Sequence, residues 1–127
     1  MPYVLVDSNE PAKVLGFYTL SSYGIDAGEL PPEVIKKLPR YPLIPATLLG
    51  RLAVSVERQG QGIGEFLLID ALRRAWEQSQ HVASAAVVVD AIDERAAKFD
   101  RYFGFVEFPR IQNRLFLPMR TVGQAVQ

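Results

Sequence analysis

The chain contains no cysteine and a single histidine, His81, in 127 residues. Disulfides, thiolate nucleophiles and cysteine–zinc sites are therefore excluded, as is any metal site built from several histidines. It also lacks an excess of charge of either sign. Fourteen basic residues balance fourteen acidic ones, so any grip on nucleic acid must come from a local patch rather than from overall charge. No apolar run approaches the ~20 residues that span a bilayer, and no basic segment followed by an apolar stretch opens the chain. The chain reads as cytoplasmic. What is present is the balance of an ordinary globular domain, 49% apolar and 22% charged, which fits one domain over residues 1–127 with its own core.

Tyr3 to Val6 and Val14 to Ser21 are apolar runs separated by the turn formers Asp7-Ser8-Asn9-Glu10-Pro11. They predict a β-hairpin. Tyr23 to Pro45 carries two glycines and five prolines, which predicts an irregular connection with at most a short helix over Pro32 to Leu38. Leu48 to Val54 reads as a strand, and the segment from Glu65 to about Gln80 as a helix with Leu68, Ala71, Leu72 and Ala75 on one face. Ala83 to Ala91, with three consecutive valines, predicts a buried strand parallel to it. Asp93 is placed to cap a helix from Glu94 to about Phe103, stopped by Gly104. Phe105 to Phe108 and Arg114 to Leu117 predict a closing antiparallel pair, and residues 121–127 a frayed tail. The fold class is thus α/β (an α+β mixed sheet) around a central βαβ unit.

Between the central strand and its helix lies Gln59-Gly60-Gln61-Gly62-Ile63-Gly64. A glycine-rich turn opening a helix points several backbone N–H groups, and the positive end of the helix dipole, toward one spot. Such a spot suits phosphate oxygens. It is not a Walker-type loop, because Gly64 is followed by Glu65 rather than by lysine and a hydroxyl residue. A dinucleotide-binding fold needs a longer βαβ series than this chain supplies, although Asp90 stands near a strand end. The plain alternative is a strand-to-helix turn that holds no ligand.

The loop resembles the hallmark of the GNAT N-acetyltransferase superfamily, Gln/Arg-x-x-Gly-x-Gly/Ala, with Gln59, Gly62 and Gly64 at its fixed positions after the strand Leu52-Ala53-Val54. Phe99 and Gly104-Phe105 resemble the second family signature. Leu49-Gly50-Arg51-Leu52-Ala53-Val54, Leu38-Pro39-Arg40-Tyr41-Pro42 and Arg114-Leu115-Phe116-Leu117-Pro118 are most similar to the GNAT-type toxins, which pair with ribbon-helix-helix antitoxins and acetylate aminoacyl-tRNA. The resemblance implies that Gln59 to Gly64 hold the pyrophosphate of acetyl-CoA, that Leu52, Ala53 and Val54 offer backbone groups to its pantetheine arm, and that Phe99 flanks it. No metal is implied. An acceptor amine then attacks the thioester directly.

Two departures accompany the resemblance. The family places a proton-donating tyrosine after the aromatic of the second signature, and here that position is Asp100. An ordinary carboxylate is ionised at neutral pH and is a poor donor to a thiolate. Tyr102 is displaced about 200° around the helix and does not substitute. Water or another residue supplies the proton, or Asp100 has a raised pKa, or catalysis is impaired. Relatives also begin with a strand and two helices before the hairpin that starts here near Tyr3. An edge lacking them is expected to be covered by a second subunit, as a homodimer.

Other residues have plainer readings. His81 suits a helix C-terminus, and Trp76 suits partial core packing. Arg51 is an edge residue or meets an acceptor's phosphate. Arg58 stands where it could add charge toward the cofactor, and Arg40, Arg110 and Arg114 where they could form an RNA-facing patch. The functions in competition are acetylation of aminoacyl-tRNA, acetylation of a small amine or protein N-terminus, and a degenerate relative that binds acyl-CoA or partners without efficient turnover.

Overall fold

The computed structural model describes residues 1–36 and 43–127. The segment Leu38 to Pro42, part of the toxin-like pattern, and Arg40 with it, lie outside the described residues. Strands β1 (Pro2–Asp7) and β2 (Glu10–Asp26) form the expected antiparallel hairpin. Its turn is fixed by Asp7, whose Oδ1 accepts the Asn9 N–H at 2.9 Å. After a short helix α1 (Pro32–Ile35) come β3 (Leu43–Val54), α2 (Ile63–Ser79), β4 (Ala86–Asp90) and α3 (Glu94–Tyr102). The strands β5 (Val106–Glu107) and β6 (Arg114–Pro118) and a last helix α4 (Met119–Val126) complete the chain. Among the described residues one six-stranded sheet runs β1-β2-β3-β4-β6-β5, in which only β3 and β4 are parallel.

Each face of the sheet carries its own apolar cluster. On one face α2, α3 and α4 cover Tyr18, Leu20, Leu49, Val87, Val89, Leu115 and Leu117. On the other, Leu30, Val34, Phe108 and Ile111 pack over Ile25, Ile44, Ala46, Val88 and Phe116. Helix α3 starts where the side chain of Asp93 accepts the Ala96 N–H at 2.8 Å and stops before Gly104, whose φ is 97°.

Two expectations are corrected. Tyr23 to Asp26 and Leu43 to Pro45 are strand rather than irregular chain, paired as Tyr23↔Ala46, Gly24↔Pro45, Ile25↔Ile44 and Asp26↔Leu43. Burial of Ile25 and Ile44 in the second cluster outweighs the turn chemistry of Gly24 and Pro45. The terminal residues are not a frayed tail. Met119, Val122, Gly123 and Val126 stand at i, i+3, i+4 and i+7, and this stripe lies on α2 with Val122 fully buried and Trp76 against Gly123.

A polar seam ties the hairpin to α2. The Tyr18 hydroxyl donates to Asp70 at 2.5 Å, Arg74 bonds the same carboxylate at 3.1 Å, and the Arg74 guanidinium lies 4.4 Å from the centre of the Tyr3 ring. Burial, then the bond to Asp70, push the Tyr18 hydroxyl well above the usual tyrosine range.

Candidate active site

The site begins where the two parallel strands part. Pairing of β3 with β4 covers Thr47↔Val87, Leu48↔Val88 and Leu49↔Val89 and then ends. Strand β3 continues to Val54, held only by β2. Leu52, Ala53 and Val54 therefore present an unpaired backbone edge toward the widening gap, as a cofactor arm lying like an added strand requires.

A β-bulge accompanies the parting. Tyr18 pairs with Leu52 and Leu20 with Leu49, so Thr19 faces the two residues Gly50 and Arg51. Leu49 and Leu52, three apart, both pack into the cluster under α2, which regular alternation forbids and the extra residue permits. The Thr19 hydroxyl accepts the Arg51 N–H at 3.0 Å and pins the bulge.

Beyond β3, a turn of 3-10 helix (Val56–Arg58) leads to the glycine loop. Gly60 and Gly62 both have φ of 80°, the left-handed region. A Cβ at either would meet nothing within 4 Å, so the backbone angle rather than crowding calls for glycine. Gly62 caps α2 with no side-chain hydrogen bond, and its carbonyl accepts the Phe66 N–H at 3.0 Å. The N–H groups of Ile63, Gly64 and Glu65 precede that bond and have no intrahelical acceptors. Gln59 and Gln61 are exposed beside them. A cradle of this kind, open and free of side-chain caps, fits a pyrophosphate.

The three sequence signals converge in space. A Cβ on Gly64 would lie 3.7 Å from Val54 and 4.0 Å from the Phe99 ring, so strand end, loop and second signature meet at the start of α2. Phe99 packs against Phe103 with ring centres 5.0 Å apart. Asp100 faces inward from the next position of α3 and is 9% exposed. Burial raises its carboxyl to about 6. Tyr102 is 83% exposed, with its ring edge-on to Phe103. Tyr18 is committed to Asp70 on the helix side.

Two arginines singled out in the sequence are engaged. Arg58 bonds Asp7 at 3.1 Å rather than standing free beside the loop. Arg114 donates to Asp90 at 2.7 Å and to the Tyr23 hydroxyl at 2.5 Å, across the face opposite α2. Sequence reasoning missed this cluster, and pairing of Asp90 with Arg114 across β4 and β6 only emerges once β6 is placed beside β4.

A mixed sheet whose one parallel pair splays beside a helix-capping glycine loop is the GNAT fold. No family model matches the chain. It is 33% identical to a tRNA-acetylating toxin of Mycobacterium tuberculosis over 108 residues, 85% of this chain and 64% of that protein. It is 30% identical to the probable toxin TacT of Sinorhizobium fredii, over 94% of this chain and 70% of that one. Among solved structures, a tyrosine-to-phenylalanine mutant of KacT superposes with a TM-score of 0.90 at 36% identity, covering 98% of this chain and 74% of KacT. AtaT complexed with acetyl-methionyl-tRNAfMet gives 0.89 at 32%, covering 99% and 75%. A mutant AtaT bound to the C-terminus of the antitoxin AtaR and acetyl-CoA gives 0.78 at 30%, covering 98% and 71%. The chain belongs to the GNAT-type toxin family.

Proposed function

We propose that this chain transfers the acetyl group of acetyl-CoA to the amino group of an aminoacyl-tRNA. The observation that carries this is the open strand edge at Leu52 to Val54 leading into an uncapped glycine loop. The backbone of Gln59, Gly60, Gln61, Gly62, Ile63 and Gly64 takes the pyrophosphate, the edge at Leu52, Ala53 and Val54 takes the pantetheine arm, and Phe99 closes the side. AtaT, solved with an acetylated methionyl-tRNA and with acetyl-CoA, supports both the acceptor and the donor.

In the transfer the amine nitrogen attacks the thioester carbonyl, a C–N bond forms, and the C–S bond breaks. The amine loses one proton to solvent, and the departing sulfur takes one up. Backbone N–H groups at the parted strands are placed for the transient oxyanion. Asp100 is the residue assigned to protonate the sulfur. With its carboxyl raised to about 6, a minority is protonated at neutral pH and can donate. The ionised majority opposes the thiolate. That opposition favours a second reading, an acyl-CoA-binding relative without efficient turnover.

The antitoxin-bound neighbour supports an antitoxin as partner, and the sequence resemblance to the GNAT-type toxins is what makes that partner a ribbon-helix-helix protein. The outer edge of β1, with Val4 57% and Val6 40% exposed, supports a homodimer. A monomer by light scattering at micromolar concentration contradicts that assembly. No described helix is long and apolar enough to cross a membrane, and the reading places the protein in the cytoplasm with its tRNA. Calorimetry with acetyl-CoA, followed by thiol release with methionyl-tRNA and with small amines, separates the readings. No binding refutes the cofactor site, and binding without release favours the second reading.

A further inference from the structure

We infer that Arg51 holds a phosphodiester at the 3′ end of the nucleic-acid acceptor, on the side of the strand fork away from the helices. This rests on the aminoacyl-tRNA reading above and assigns it a binding residue. Tyr18 and Leu20 both lie under α2, so Thr19 between them faces the opposite side of the sheet. Gly50 shares that side, because a Cβ there would stand 2.6 Å from the Thr19 hydroxyl. Leu49 and Leu52 both point to the helices, which leaves Gly50 and Arg51 together on the far face. Regular alternation would set residue 51 on the helix side with Leu49; the bulge turns it to the far face, where Arg51 is exposed.

Its position is specific. Arg51 lies two residues, about 7 Å of strand, past the last parallel pair at Leu49↔Val89. The helix side of the fork is taken by α2, α3 and the cofactor, whose pyrophosphate site is the start of α2. An acceptor amine therefore reaches the thioester from the far face, and its adjoining ribose and phosphate pass the bulge. Of the cations on described strands, Lys13 is paired with Glu57 and Arg114 with Asp90. Arg51 makes no ion pair among the described residues. A guanidinium is the group best matched to two phosphate oxygens.

The test uses the full chain, methionyl-tRNA, and methionine methyl ester as an acceptor without phosphate. Arg51→Ala is expected to weaken methionyl-tRNA binding about 5- to 10-fold in anisotropy titrations and to reduce the slope of log K against log salt by roughly 0.7. Arg51→Lys retains the slope and part of the affinity. Acetyl-CoA affinity, and the rate with the methyl ester, stay at the parent values. Unchanged tRNA affinity and slope in Arg51→Ala overturn the inference while leaving the acceptor reading intact. Weakened acetyl-CoA binding also overturns it, by moving Arg51 to the cofactor. A parent protein that binds acetyl-CoA but no tRNA defeats the acceptor reading itself, and this inference with it.

Discussion

Replacing Asp100 with asparagine should make the protein gain stability relative to the parent as pH rises from 4 to 8. Asp100 is 9% exposed, and burial alone raises its carboxyl from 3.8 to about 6. An acid whose folded pKa exceeds its unfolded one takes up protons on folding. Its favourable contribution is complete below about pH 4 and is lost as pH rises through 6. A shift of about 2 units corresponds to about 3 kcal/mol, the cost of keeping the ionised group buried above pH 7. The amide carries no such cost, and its own burial adds an offset that does not vary with pH. Urea unfolding of both proteins from pH 4 to pH 8 should show the variant gaining about 3 kcal/mol relative to the parent across that range. At pH 8 this is roughly 10 °C in Tm for a domain of this size. A difference that stays flat with pH would refute the burial of an ionisable carboxyl at this position.

Activity should follow the same group. Transfer needs Asp100 protonated and the α-amino group, with a pKa near 7.7, unprotonated, so the rate should peak near pH 7 and fall on both sides. A rate that rises steadily to pH 9 contradicts the assignment. Asp100→Tyr should remove the alkaline fall and raise thiol release at pH 8 about 100-fold, and no gain excludes this position from proton transfer. Gly62→Ala forces a Cβ into φ of 80°, which should cost about 1–2 kcal/mol in a melt and weaken acetyl-CoA binding in calorimetry. Gly123→Ala sets a Cβ 2.2 Å from Trp76 Nε1. It should displace α4 and destabilise by about 1–3 kcal/mol, seen together with a shift in tryptophan fluorescence.

Most of the central unit was legible in the sequence because its periods are strong. The valines of β4, the apolar face of α2 and the Asp93 cap each carry a local signal that tertiary packing reinforces. Pro45 and Gly24 misled because burial of their neighbours Ile44 and Ile25 decides the strand, and burial is not a local property. Helix α4 was readable from the spacing of Met119, Val122, Gly123 and Val126, but its partner Trp76 lies on another helix and gave no nearby cue. At the site, the glycine loop, Val54 and Phe99 were legible as motifs, and the structure brings them together. Long-range pairing was not. Arg58 turned to Asp7, Arg114 to Asp90 and Tyr23, and the bulge at Thr19 depends on the register between β2 and β3.

Acetyl transfer through the strand fork is tested by following acetyl-CoA and methionyl-tRNA together with the purified chain at pH 7. Acetyl-methionyl-tRNA is the expected product, with one thiol released per acetyl group transferred, and Gly62→Ala should abolish or strongly reduce both. Saturable acetyl-CoA binding with neither product would contradict that expectation, leaving a cofactor-binding protein that does not catalyse the transfer.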